Sequence, residues 1–234
     1  MIWRGKMTKG EQMRLNRMNG FVIAAAMVGL SLPLGAQTSV PPNSGQTFKD
    51  TSMIKPPAGA KVAIVEFEDM ECPACARAFP IVHQAIAQYN IPLVRHDFPL
   101  GAVHPWSFEA AVDARFIQDK ISPKVADEYR GAVFAAQAGI ANRDDLLKFT
   151  QHFFQSHGGQ MPFVVDPTGE LAKEVKADHA LGERVGLNQT PTIFVCTAQS
   201  WVQVTNPDLL FQTIEAAQAK ASASGPLKKT SAGH

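Results

Sequence analysis

The chain has 234 residues, of which 45% are hydrophobic and 18% charged, with a formal net charge of +1, as expected of a globular protein with one sizeable core. Three cysteines are too few for a disulfide framework, so stability rests on core burial and a cysteine pair is free for other work. Residues 1–36 hold five basic residues and one acidic; the remainder, with 17 basic against 20 acidic residues and a net charge of −3, has no general basic footprint for nucleic acid.

Arg4, Lys6, Lys9, Arg14 and Arg17 precede the apolar run FVIAAAMVGLSLPLGA at 21–36. The run is short for a membrane span of about 20 residues, and Pro33 and Gly35 break its end. This pattern predicts a signal peptide over 1–36, cleaved after Ala36; the other reading is an uncleaved anchor formed by 21–36. Met13 gives a more compact signal and is a candidate start. Export implies the periplasm or another extracytoplasmic, oxidising compartment, where disulfides persist. Residues 37–57, rich in Pro, Ser and Thr, are expected to form a flexible linker. The folded unit is expected over 58–221. A disordered tail is expected over 222–234, with Lys228 and Lys229 solvated.

The unit opens with KVAIVEFED, 61–69, a β-branched, apolar stretch that predicts a buried strand. CPACARAFPIVHQAIAQYN follows at helical spacing, and IPLVRHDFPL, 91–100, predicts a second strand, completing a βαβ unit. Helical patterns then run through 104–186, beginning at PWSFEAAVDARFIQDK and ending at the glycine of PTGELAKEVKADHALGERVG. PTIFVCT and WVQVT predict two short strands. NPDLLFQTIEAAQAKA predicts a closing helix with Asn206 as cap and Pro207 at its first position.

The chemistry-bearing stretch is Cys72-Pro73-Ala74-Cys75, at the junction of strand and helix. Positions i and i+3 share a helix face, so the two sulfurs can meet. Cys72 would sit at the helix N-terminus, where free N–H groups and the macrodipole favour an anion; Pro73 has no N–H to lose there. Such a place can lower a cysteine pKa to about 3.5–7.5 from about 8.5. Cys72 is then the exposed attacking thiol and Cys75 the resolving one. A lone CxxC could also be half of a zinc site or a structural disulfide. A structural zinc needs four Cys or His ligands, and Cys196 is isolated, with no histidine pair at ligand spacing.

The strand–CxxC–helix unit, followed far downstream by Thr190-Pro191 before an apolar strand, resembles the thioredoxin fold: a central mixed sheet flanked by helices. Pro80, eight residues after Cys72, matches the helix-kinking proline of thioredoxins. The helical stretch at about 104–186, inserted between the βαβ unit and the Pro191 strand, resembles the insertion of the DsbA family of exported thiol–disulfide oxidoreductases. VEFEDMECPAC, FPLGAVHPWSFEAA and ERVGLNQTPTIFV are similar to segments of its DsbA/BdbD-like branch. The resemblance covers about 58–221. It implies a cis Pro191 packed against the cysteines, client backbone docking at Thr190 and Pro191, and a redox disulfide between Cys72 and Cys75 with no other cofactor. It also implies that Glu66, six residues before Cys72, is a buried acid with a raised pKa that moves protons to and from Cys75. The inner dipeptide, Pro73-Ala74, departs from the Pro-His of DsbA itself. With no histidine to stabilise the thiolate, a milder oxidant is expected.

The implied clients are unfolded or folding exported proteins. The implied redox partner is a membrane protein of the DsbB or vitamin-K-epoxide-reductase type. A monomer is expected, because 37–57 is too short for a dimerisation domain. An alternative stays open: a non-catalytic chaperone or metal carrier on the same fold, whose two thiols hold copper. Glu68, Asp69 and Glu71 are expected to be solvated loop acids, weak at Cys72. His104 is expected to be satisfied within its loop, and His83 and His179 to lie on the surface. Cys196 is expected to be a buried inert thiol, and Phe153 and Phe154 to belong to the core.

Overall fold

Strand β1 (Val62–Glu68) is buried at all seven positions, which is why it reads as a nearly unbroken apolar run rather than an alternation. In the computed structural model, which describes residues 48–223, β1 lies inside a four-stranded sheet of order β2–β1–β3–β4. The predicted signal peptide or anchor, the segment 37–47 and the tail from 224 lie outside the described residues. Helix α1 (Pro73–Tyr89) crosses over to β2 (Leu93–Asp97), which pairs parallel to β1 from Ile64↔Leu93 to Glu68↔Asp97. Strands β3 (Thr192–Thr197) and β4 (Trp201–Val204) add antiparallel. The architecture is the mixed sheet flanked by helices that the sequence predicts.

The period-two alternation of β1 sorts its side chains. Val62 and Ile64 join Ile193, Val195 and Val204 against Ala78, Val82 and Ala85 of α1 and Leu210, Ile214 and Ala217 of α6 (Leu210–Ala223). Ala63, Val65 and Phe67 pack with Phe98, Val185, Leu187, Phe194 and Cys196 on the other face. Asn206 caps as predicted, accepting the Asp208 N–H at 3.1 Å, but Pro207–Leu209 form a 3-10 turn and α6 begins after it.

Between β2 and β3 stand four helices: α2 (Ser107–Lys120), α3 (Pro123–Ala136), α4 (Arg143–Ser156) and α5 (Glu170–Val185). Their starts follow local chemistry. Ser122 accepts the Val125 N–H at 3.2 Å ahead of Pro123, and Asn142 accepts the Asp145 N–H at 3.0 Å. Trp106, Ile117, Tyr129, Val133, Leu146, Phe153 and Phe154 bury together, and Met70, Cys72 and Cys75 belong to the same cluster. The insertion is thus packed onto the cysteine pair. Gly182 lets α5 approach the sheet: a Cβ there would fall 2.5 Å from the Phe98 ring.

One expectation needs correction. Residues 48–57, inside the stretch read as linker, belong to the folded unit. The Lys49 N–H donates to the Val185 carbonyl at 2.8 Å, Phe48 meets Phe194 and Trp201 edge-on at 5.2 and 5.4 Å, and Ile54 is buried. The composition is loop-like, but three apolar residues (Phe48, Met53 and Ile54) find the face of the sheet that lacks α1 and α6.

Candidate active site

The site forms where β1 ends and α1 begins. Cys72 is the N-cap residue, with extended backbone, and Pro73 takes the first helical position. The Cys72 carbonyl accepts the Ala76 N–H at 3.1 Å, the first turn of α1. Across from it the Thr190–Pro191 peptide is cis. The Cys72 thiol donates to the Thr190 carbonyl at 3.3 Å, bridging 118 positions of sequence. Cys72, Cys75, Thr190 and Pro191 therefore converge as the sequence implies. Cys72 is less open than expected: it is 6% exposed, against 1% for Cys75, because the helical insertion packs beside it.

The two thiols have opposite electrostatics. The Cys72 pKa is lowered to about 5, first by a hydrogen bond from the Cys75 thiol, then by the Thr190 side chain and by the backbone N–H groups of Cys75 and Ala74; burial opposes them. Burial pushes Cys75 well above its ordinary value, and the neighbouring Cys72 adds to the shift. At neutral pH this favours a thiolate at Cys72 and a protonated thiol at Cys75. Beside them runs a groove of about 520 Å³ lined by Ala74, Arg77, Ile81, Thr190, Pro191 and Val204 among others.

Glu66 is 2% exposed, and its pKa is raised to about 8 by burial first and by the Glu68 charge second. It is the buried acid expected at this position.

The other three acids are not the solvated loop charges expected. Glu68 is 2% exposed and lies 2.8 Å from Arg130 and 3.1 Å from Arg95. Asp69 is 1% exposed and accepts the Glu71 N–H at 2.8 Å and the Leu100 N–H at 2.7 Å, with His104 Nδ1 at 2.8 Å. Glu71 accepts the Trp106 N–H at 2.8 Å. Chain direction accounts for the difference: Glu68 ends β1 facing Arg95 and Arg130, and the loop then turns inward under residues 98–106, where Asp69 and Glu71 meet donors. His104 is therefore tied to the active-site loop rather than satisfied locally. His83 and His179 are also less free than expected. His83 sits 3.3 Å from Asp127 against the Phe79 ring, and His179 stacks on Phe98.

Two contributors escaped the sequence reading. Gln137, at the end of α3, donates to the Met70 carbonyl at 2.8 Å and the Cys72 carbonyl at 3.2 Å, and no local pattern marks it. Asp69 had a legible signal: an Asp whose side chain can accept an N–H two residues on. Cys196 is fully buried as expected; its thiol donates to the Ala63 carbonyl at 3.5 Å, and burial pushes its pKa up to about 11.

A family model described as "Thioredoxin" matches residues 50–203. The chain belongs to the thioredoxin family. Among solved structures, this thioredoxin-family chain is similar to alpha-DsbA1 from Wolbachia pipientis, at 15% identity and a TM-score of 0.59 over 74% of this chain and 98% of that one. It is also similar to ScsC from Proteus mirabilis (18%, TM-score 0.55, 70% and 71%) and to a periplasmic thioredoxin-like protein from Salmonella enterica serovar Typhimurium (19%, TM-score 0.55, 70% and 88%). The fold is therefore the DsbA-like form of the family. Curated relatives include Na(+)/H(+) antiporter NhaA 1 of Salinispora arenicola, 36% identical over 147 residues, and NhaA 3 of Salinispora tropica, 28% identical over 155 residues; each match covers 62% of this chain. The chain spans 22% of the length of those antiporters.

Proposed function

We propose that the protein is an exported thiol–disulfide oxidoreductase that exchanges disulfides with folding secreted proteins through the Cys72–Cys75 pair. The observation that carries this reading is the pairing of a Cys72 thiol held near pKa 5 with a buried, protonated Cys75 one turn along α1, both beneath the Thr190–Pro191 peptide.

The Cys72 thiolate attacks a client disulfide, forming a Cys72–client bond and releasing the other client sulfur as a thiolate. Cys75 loses its proton and attacks Cys72; the mixed disulfide breaks, the Cys72–Cys75 disulfide forms, and the client leaves reduced. Run in reverse, the same steps oxidise a client dithiol. The electrons stay within sulfur–sulfur bonds, and no other cofactor is invoked. Glu66 accepts and returns the Cys75 proton. A carboxyl group near pKa 8 keeps both forms populated around neutral pH: the ionised form accepts the Cys75 proton and the protonated form returns it. Client backbone lies along the groove at Thr190 and Pro191 and reaches Cys72 from there. A membrane partner of the DsbB or vitamin-K-epoxide-reductase type resets the pair, and the protein works as a monomer. The charged and apolar segments of 1–36 and the periplasmic structural neighbour support export.

A Cys72 pKa of about 5 lies above the value of about 3.5 known for DsbA. A less stabilised thiolate makes a milder oxidant, so titration against glutathione should give a potential more reducing than about −120 mV. Insulin reduction should fall to background in Cys72→Ser. Undiminished activity in that variant would refute the assignment.

A further inference from the structure

Asp69 meets both redox cysteines through its backbone and a third segment through its side chain. Its carbonyl accepts the Cys72 N–H at 3.0 Å. Its own N–H points at Cys75 Sγ, 3.4 Å away. Its carboxylate, with no solvent exposure, takes the Glu71 N–H, the Leu100 N–H and His104 within 2.8 Å. Such a set of contacts fixes the plane of the peptide that carries the N–H.

The step that needs a fixed donor is resolution. Cys75 must lose its proton in surroundings where burial opposes the charge, and a preorganised N–H aimed at the site of developing charge lowers that cost. A buried carboxylate on the residue that touches the sulfur would ordinarily be expected to oppose a thiolate. Here three donors engage its oxygens, and the contact to Cys75 is made by the N–H. We propose that Asp69 is a positioning residue for the resolving cysteine. Its side chain anchors the Leu100–His104 segment so that its own N–H receives the negative charge of Cys75 as the mixed disulfide is resolved. His104 closes the anchor from the far side.

The proposal rests on the thiol–disulfide exchange reading, but its test needs no client. In the full chain carrying Cys72→Ser, the ionisation of Cys75 is followed by thiolate absorbance, with and without Asp69→Asn. In chains that keep both cysteines, the Cys72–glutathione mixed disulfide is prepared and the release of glutathione is timed. Asp69→Asn should raise the ionisation midpoint of Cys75 and slow glutathione release by about tenfold, the scale of one lost hydrogen bond. Alkylation of Cys72 in a Cys75→Ser background should change by less than about twofold, because its loss is a separate interaction. His104→Ala should act in the same direction more weakly, and His104→Gln, whose amide can still donate, should recover most of the loss. Thr150→Val, in the buried Tyr129–Asp113 cluster, lowers stability without touching the pair and should leave glutathione release unchanged. If Asp69→Asn folds and releases glutathione at the parent rate, or slows Cys72 alkylation by the same factor, the assignment is wrong. If Asp69→Asn does not fold, the same two outcomes in His104→Ala decide it. An inactive parent chain in the insulin assay would overturn the proposed function alone, since the Cys75 titration would still report on Asp69.

Discussion

Along one face of β1 the two halves of the strand are held by different forces. At the N-terminal half, Val62 and Ile64 lie against aliphatic side chains of α1 and α6. At the C-terminal half, Glu66 and Glu68 lie equally buried but among charges. Arg130 of α3 reaches Glu68 at 2.8 Å and Asp97 at 2.7 Å; Arg115 of α2 reaches Asp97 at 2.7 Å and also Asp178 of α5. Burial alone would raise the Asp97 pKa, but Arg130 and then Arg115 hold it below the ordinary value. The aliphatic half draws on the hydrophobic effect, which is non-directional. The charged half repays the desolvation of its ions only in one geometry. The insertion that covers the cysteine pair is thus docked by the contacts that tolerate least displacement.

Removing one partner from each half exposes the contrast. Arg130→Ala leaves Glu68 and Asp97 buried without their shared cation, and should cost about 4 kcal/mol in denaturant unfolding. Ile64→Ala in the aliphatic half should cost about 3 kcal/mol, from lost burial and the cavity left behind. The activity readout should separate them further, with Arg130→Ala slowing insulin reduction and Ile64→Ala leaving it near the parent rate at temperatures where both stay folded. Equal activity losses at equal stability would erase the distinction.

Glu66 sharpens the comparison through pH. Its folded pKa is about 8, against an ordinary 4.5. Below that lower value both folded and unfolded chains hold the proton. Between the two values the unfolded chain ionises while the folded chain stays neutral, so stability falls as pH rises; above about 8 the loss is complete. Glu66→Gln removes this dependence. Its melting temperature should exceed the parent's at pH 8 by an amount equivalent to about 4 kcal/mol, and by about 1 kcal/mol or less at pH 5. A pH-independent difference would mean that Glu66 is ionised in the folded protein. The smallest effect belongs to an exposed pair: Lys124→Ala breaks the contact with Glu128 at 3.4 Å and should change stability by less than about 0.5 kcal/mol.

The aliphatic half was readable in advance and the charged half was not, for one physical reason. Period-two and helical spacing of apolar residues report burial directly, so β1, α1, the insertion helices and the Thr192–Thr197 strand follow from the sequence. The cysteine pair follows too, because a CxxC between a strand and a helix places one sulfur at a helix start. Arg115 and Arg130 sit on amphipathic helices, where a charged residue ordinarily signals the solvent face. Their inward direction depends on where Asp97 and Glu68 end up, which is a tertiary fact. The same blindness made Glu68, Asp69 and Glu71 look like surface charge. It also hid 48–57, whose composition resembles a linker while Phe48 packs on Phe194 and Trp201.

The complete enclosure of Cys196 gives the molecule an internal tally of its own integrity. A thiol-blocking reagent applied to the native dithiol chain should react first at Cys72, more slowly at the buried, protonated Cys75, and at Cys196 only once the strands separate. Stray pairing between Cys196 and Cys72 or Cys75 would require the sheet to open first, so exchange at the Cys72–Cys75 pair would not draw the third sulfur in.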